Sequence, residues 1–154
     1  YFSQYDSSMP FLPIFISADP STLLSRADKS TMSEQTLMEI LISHFDDTAC
    51  LRDENGGFTD VEGWMGVAMN ENEKINYINW QKEGSHGIFG DNDFDQRIND
   101  ALPKPGGSID LKWLPSNVIE VAIPDLMLEG TLDTHSLPRS LWFLEVNANQ
   151  KIIQ

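Results

Sequence analysis

The strongest constraint on how this chain folds is an internal repeat. Gly107-Ser108-Ile109-Asp110 recurs 23 residues later as Gly130-Thr131-Leu132-Asp133, and Leu114-Pro115 recurs at the same spacing as Leu137-Pro138. Val118, Val121 and Ile123 then fall on Leu141, Leu144 and Val146. The earlier segment Ile75, Ile78 and Trp80 joins the series at an offset of 43, which also carries Gly87 onto Gly130 and Phe89 onto Leu132. The excess of 20 residues fits an insertion between about Ile88 and Gly106. A unit this small cannot bury its own apolar face, whereas stacked neighbours build one continuous core. The spacing L-x-x-L-x-L reads as a turn into a short strand whose inward side chains stand two apart. The Gly reads as the bend away from that strand. The Leu-Pro pair reads as an extended return segment, because Pro fixes φ and restrains the residue before it.

Upstream of the repeat, the spacing predicts a helix over 31–46. Thr31 and Glu34 form a capping box, and Leu37, Ile40, Leu41, His44 and Phe45 share a face. Asp46 and Asp47 oppose the dipole at its C-terminal end, so the helix stops there and a loop runs through Cys50 to Gly57. Phe58, Val61, Trp64, Met65, Val67 and Met69 follow, broken by Gly63 and Gly66 and closed by the polar turn Asn70–Lys74. Residues 91–101 read as a short helix, and the cluster Pro103–Gly107 as punctuation after it. Residues 1–30 carry Pro10, Pro13 and Pro20 among many aromatics, which argues for an extended arm lying on a surface through Phe2, Tyr5, Phe11 and Phe15.

The unit Leu137-Pro138-Arg139-Ser140-Leu141-Trp142-Phe143-Leu144-Glu145-Val146-Asn147-Ala148-Asn149 resembles the leucine-rich-repeat consensus L-P-x-S-L-x-x-L-x-V-x-x-N. Gly130-Thr131-Leu132-Asp133 resembles a G-T-L-D segment common in such proteins of protists. The order helix, Cys50, Trp64-Met65-Gly66-Val67, then a strand with Ile75 and Ile78, is similar to the N-terminal cap of plant-type leucine-rich-repeat proteins. The likeness covers about residues 31–152. Ala68 stands at the second cap cysteine, so the cap disulfide is absent. Asn149 matches the strand-exit asparagine, where the preceding units have Leu126 and Glu83. The resemblance implies an α/β fold: a leucine-rich-repeat solenoid fragment with a helical N-terminal cap and a short parallel sheet. Its parts are an arm over 1–30, a cap over 31–73, and repeats over 74–154 with an insertion at about 88–106.

The same resemblance implies that partners bind the concave strand surface. Its outward positions are Asn76, Tyr77, Asn79, Gln81, Glu120, Trp142, Phe143, Glu145 and Asn147. The expected function is a non-enzymatic protein–protein interaction or scaffold module, an accessory subunit of a larger assembly. The alternative is an extracellular or lumenal recognition domain for a peptide or glycan. A net charge of −14 argues against a basic patch for nucleic acid or an anionic membrane and suits basic partner surfaces. The apolar run Phe11–Ile16 is too short to span a bilayer. A secreted, cell-surface or organelle-lumen location stands ahead of the cytoplasm if a targeting peptide preceded Tyr1.

No cofactor is expected. Asp91, Asp93 and Asp95 have the alternation of a calcium loop and are a weak metal candidate, but Gln96 and Leu102 replace its Gly and bidentate Glu, so the segment reads as a solvated acidic turn or helix start. His44, His86 and His135 lack the context of a triad, and a pairing of Cys50 with His44 is the weakest functional reading. An enzyme with a compact acidic site therefore ranks last.

Overall fold

The computed structural model describes residues 28–82, 100–147 and 149, with the backbone of 151–153. The expected contacts of Phe2, Tyr5, Phe11 and Phe15, the aspartates 91, 93 and 95, His86, and most of the insertion lie outside these residues.

The helix is shorter than the apolar spacing predicts. It spans Glu34–Leu41 (α1), and Ser33 caps it by accepting from the Thr36 N–H. Thr31 instead belongs to a 3-10 turn, Lys29–Thr31, capped by Asp28. Glu34 closes no capping box. Its carboxylate accepts the Ile75 N–H at 3.1 Å and meets Lys74 at 3.3 Å, fastening the helix to a strand. Leu37, Met38, Leu41 and Ile42 are buried. The chain then leaves the helix, and Phe45–Asp47 forms strand β1. Phe45 is buried there with its ring edge-on to Trp80, which follows the strand Ile75–Asn79.

The remaining strands are Val67–Met69 (β2), Ile75–Asn79 (β3), Lys104–Ile109 (β4), Glu120–Ala122 (β5), Glu129–Thr131 (β6), Phe143–Glu145 (β7) and Lys151–Ile153 (β8). They form two sheets, ordered β1-β4-β6-β8 and β2-β3-β5-β7. The first pair of each is antiparallel and the later pairs are parallel. The expected leucine-rich-repeat solenoid fragment with one short parallel sheet is thereby corrected: both sheets are mixed, and neither closes or curls. For β2 and β3 the physical reason lies in their connection. Asn70–Lys74 is a tight turn in which Asn70 Oδ1 accepts from the N–H groups of Asn72 and Lys74. So short a link can join only antiparallel strands.

A second correction concerns the glycines and prolines. Gly107 and Gly130 do not bend the chain away from a strand; they lie within β4 and β6. Likewise Pro103–Gly107 is not punctuation, because residues 104–107 run into β4, at the end of the expected insertion. A Cβ on Gly130 would stand 2.5 Å from the Ile109 carbonyl oxygen, and one on Gly107 would strike the His44 carbonyl. Both glycines permit close backbone approach between strands.

The repeat spacing does give the register of the second sheet. Tyr77 pairs with Glu120 and Glu120 with Phe143; Ile78, Val121 and Leu144 form the next row. Ile75, Ile78, Trp80, Val118, Val121 and Ile123 are buried, and Leu141, Leu144 and Val146 pack partly buried against the same core. Each fully buried aliphatic side chain contributes about 1.5–3 kcal/mol relative to exposure. After β3 the chain alternates between sheets, so each successive unit lays one strand beside its predecessor in both layers. Among the described residues no helix is long and apolar enough to cross a membrane.

Candidate interaction surface

The outward face of the sheet β2-β3-β5-β7 gathers most of the positions expected to bind a partner. From Tyr77 onward Ile78 and Trp80 are fully buried, while Tyr77 and Asn79 are exposed. This is the alternation of a strand with one face on the core. The ladder sets Ala68, Tyr77, Glu120 and Phe143 in one row across all four strands. Asn79, Ala122 and Glu145 form another. Asn76, Ile119 and Trp142 neighbour each other through backbone bonds, Ile119 N–H to Asn76 O and Trp142 N–H to Ile119 O.

Exposure along these rows is uneven. Trp142 is 77% exposed, Phe143 40% and Tyr77 39%. Ala122 is buried and carries no surface role. Asn147 is exposed and its carbonyl accepts the Asp125 N–H, while Gln81 is half-buried with its N–H donated to Asn79 Oδ1. Asn76 is also half-buried, and its Oδ1 is enclosed without a hydrogen-bond partner among the described residues. The turn entering β7 is held by Ser140, whose hydroxyl donates within reach of both the Ser116 and Val118 carbonyls, at 2.8 and 2.7 Å. Trp142 and Phe143 are thus large apolar groups presented on an anchored backbone.

The electrostatics of this face are acidic. Glu120 and Glu145 sit half-exposed beside the aromatic groups, and among the described residues neither forms an ion pair with Lys or Arg. Aromatic anchors beside free carboxylates can grip a partner that offers apolar surface together with Lys or Arg.

One concave feature was not legible in the sequence. An open groove of about 740 Å³ lies over the other sheet, lined by His44, Asp46, Ser108, Met127, Glu129 and the backbone of Gly106 and Gly107. Its floor depends on positive φ at both glycines, +120° and +96°. The Gly-Gly pair was the only local sign of it, and that pair reads equally well as a turn.

The pairing of Cys50 with His44 does not form. His44 Nδ1 meets Ser43 Oγ at 3.0 Å instead. Burial, and then the charge of Asp47, push the Cys50 thiol above its ordinary pKa, which disfavours the thiolate a nucleophile needs. His135 is exposed in a turn where its N–H donates to Asp133. Among the described residues no cluster of His, Cys, Asp and Glu is placed to hold a metal ion.

No protein-family model, curated protein or solved structure matches this chain.

Proposed function

We propose that this chain is a non-enzymatic protein-interaction module, an accessory piece of a larger assembly, which binds through the outward face of β2-β3-β5-β7. The observation that carries this reading is the exposure of Tyr77 and Phe143 in one row of the sheet, with Trp142 exposed just before β7. Leaving large aromatic groups in water forgoes the stabilisation their burial provides, and exposed apolar groups gathered on one face mark contact surfaces. The neighbouring Glu120 and Glu145, together with the net charge of −14, select a partner surface bearing basic groups.

Site-specific photocrosslinking in the native cell tests the proposal. A crosslinker at Tyr77 or Phe143 is expected to trap one stoichiometric partner protein, and a crosslinker at Glu62, on an exposed 3-10 turn, is not. Replacing Glu120 and Glu145 together by Gln should weaken capture and flatten its dependence on salt. Equal yields from all three positions, or none from Tyr77 and Phe143, would refute the assignment.

A further inference from the structure

The outward face of β2-β3-β5-β7 contains one row whose three side chains belong together chemically. Tyr77, Glu120 and Phe143 are direct partners across β3, β5 and β7. Partners in such a ladder project on the same side of the sheet, and the next row, Ile78, Val121 and Leu144, turns to the core. A carboxylate on the middle strand is thus flanked by an aromatic ring on each neighbouring strand. Both aromatic residues are exposed, and Glu120 is half-exposed. Among the described residues neither ring stacks on another ring or carries a cation. Among them, too, the Glu120 carboxylate has no ion pair and no hydrogen bond.

The spacing suits one kind of guest. Adjacent strands lie about 4.8 Å apart, so strands separated by one other stand roughly 9.5 Å apart. A flat group in van der Waals contact with a ring on either side needs those rings about 7–8 Å apart. A small inward lean of each ring closes the difference. The chain makes one half of such a contact elsewhere. There the Arg52 guanidinium lies 3.8 Å from the centre of the Phe58 ring while donating to the Gly56 carbonyl and the Thr48 hydroxyl. A guanidinium is flat, permanently charged and forked, so its faces stack on rings while its edge bonds a carboxylate at two points. An ammonium is a compact, strongly hydrated charge with no face to stack. Methylated ammonium groups are recognised by aromatic cages, whereas this row offers two rings and a carboxylate.

We propose that this row is a clamp for a single arginine side chain of a partner protein, with the guanidinium between Tyr77 and Phe143 and its edge on Glu120. Glu145, two residues along β7 and so on the same face, adds a second carboxylate beside the clamp. Strand β5 is paired on both sides, so a strand added beyond β7 would widen the sheet and leave the gap over Glu120 unchanged. The clamp presupposes that the outward face is the contact surface, and it names the side chain which that surface selects.

Titration of the isotope-labelled 154-residue chain with capped tripeptides, followed by backbone amide NMR shifts, tests it. Gly-Arg-Gly is expected to move the amides of Tyr77, Glu120 and Phe143 with millimolar affinity. It is expected to bind at least about tenfold tighter than Gly-Lys-Gly, and than Gly-citrulline-Gly, which keeps the flat shape without the charge. Glu120→Gln and Phe143→Leu, both at positions open to solvent, should each weaken the arginine peptide at least about fivefold with the rest of the amide spectrum unchanged. Glu62→Gln, away from the row, should have no effect. Equal affinity for the lysine or citrulline peptide, shifts centred on other residues, or no shift at millimolar concentration would overturn the clamp. If crosslinkers at Tyr77 or Phe143 still trap a partner in that event, the contact surface stands and only the arginine assignment falls.

Discussion

Trp80 joins the two layers, and its truncation measures how much of the stability resides in that joint. The side chain is fully buried. Its ring stands edge-on to Phe45 of the opposite sheet, with centroids 5.8 Å apart and planes at 78°. Its indole N–H donates to the Met65 carbonyl at 3.2 Å. Gly66 makes room for it, since a Cβ there would stand 2.9 Å from the indole. Trp80→Ala removes the whole ring and leaves a cavity between the sheets, a change that costs about 3–5 kcal/mol. The edge-to-face contact, worth about 0.5–1.5 kcal/mol, is contained in that figure and does not add to it. Trp80→Phe keeps an aromatic ring beside Phe45 but leaves the Met65 carbonyl without its donor, for about 1–3 kcal/mol. Domains of this size have about 5–15 kcal/mol in total, so the alanine variant should sit near the limit of folding and the phenylalanine variant well inside it. Urea denaturation followed by far-UV circular dichroism reads both, with unchanged m-values if the native fold is kept. A loss below about 1 kcal/mol for Trp80→Ala, or equal losses for the two variants, would refute the view that this ring locks the layers together.

Three further outcomes follow from the geometry. Asn149→Ala removes the acceptor of the Leu128 N–H and the donor to the Ile123 and Val146 carbonyls, so urea denaturation should show a loss of about 1–3 kcal/mol, with Asn149→Asp failing to restore it because a carboxylate donates nothing. Gly107→Ala combines positive φ with a clash against β1 backbone and should cost at least about 1–3 kcal/mol in the same assay, whereas Ala at Gly63, with open space around its Cβ position, should cost under about 1 kcal/mol. The Ala49 N–H and then Lys104 hold the Asp47 carboxyl below its ordinary range. A carboxyl whose folded pKa is depressed contributes stability above its unfolded pKa and loses it as pH falls through the folded value. Thermal melts should therefore show a stability decline on the acid side of the ordinary aspartate range, and Asp47→Asn should make that decline shallower; an unchanged acid limb contradicts this.

Much of the second sheet was written in the spacing of apolar residues. The offsets of 23 and 43 place Ile78, Val121 and Leu144 in one row because inward side chains must repeat with the strand, and a core face tolerates no slip. The same offsets align the outward Tyr77, Glu120 and Phe143. Nothing local, by contrast, marked Phe45-Asp46-Asp47 or Lys104-Pro105-Gly106-Gly107 as strands. Their apolar pattern fits a helix end and a turn, and they are strands only because each supplies the other's hydrogen bonds. The glycines that signal a bend in isolation serve here to let two backbones approach. The first sheet, the groove above it and the mixed pairing are therefore decisions of the tertiary structure. The periodic placement of apolar side chains was enough to specify the rows of the other sheet, because burial of one face dictates register by itself.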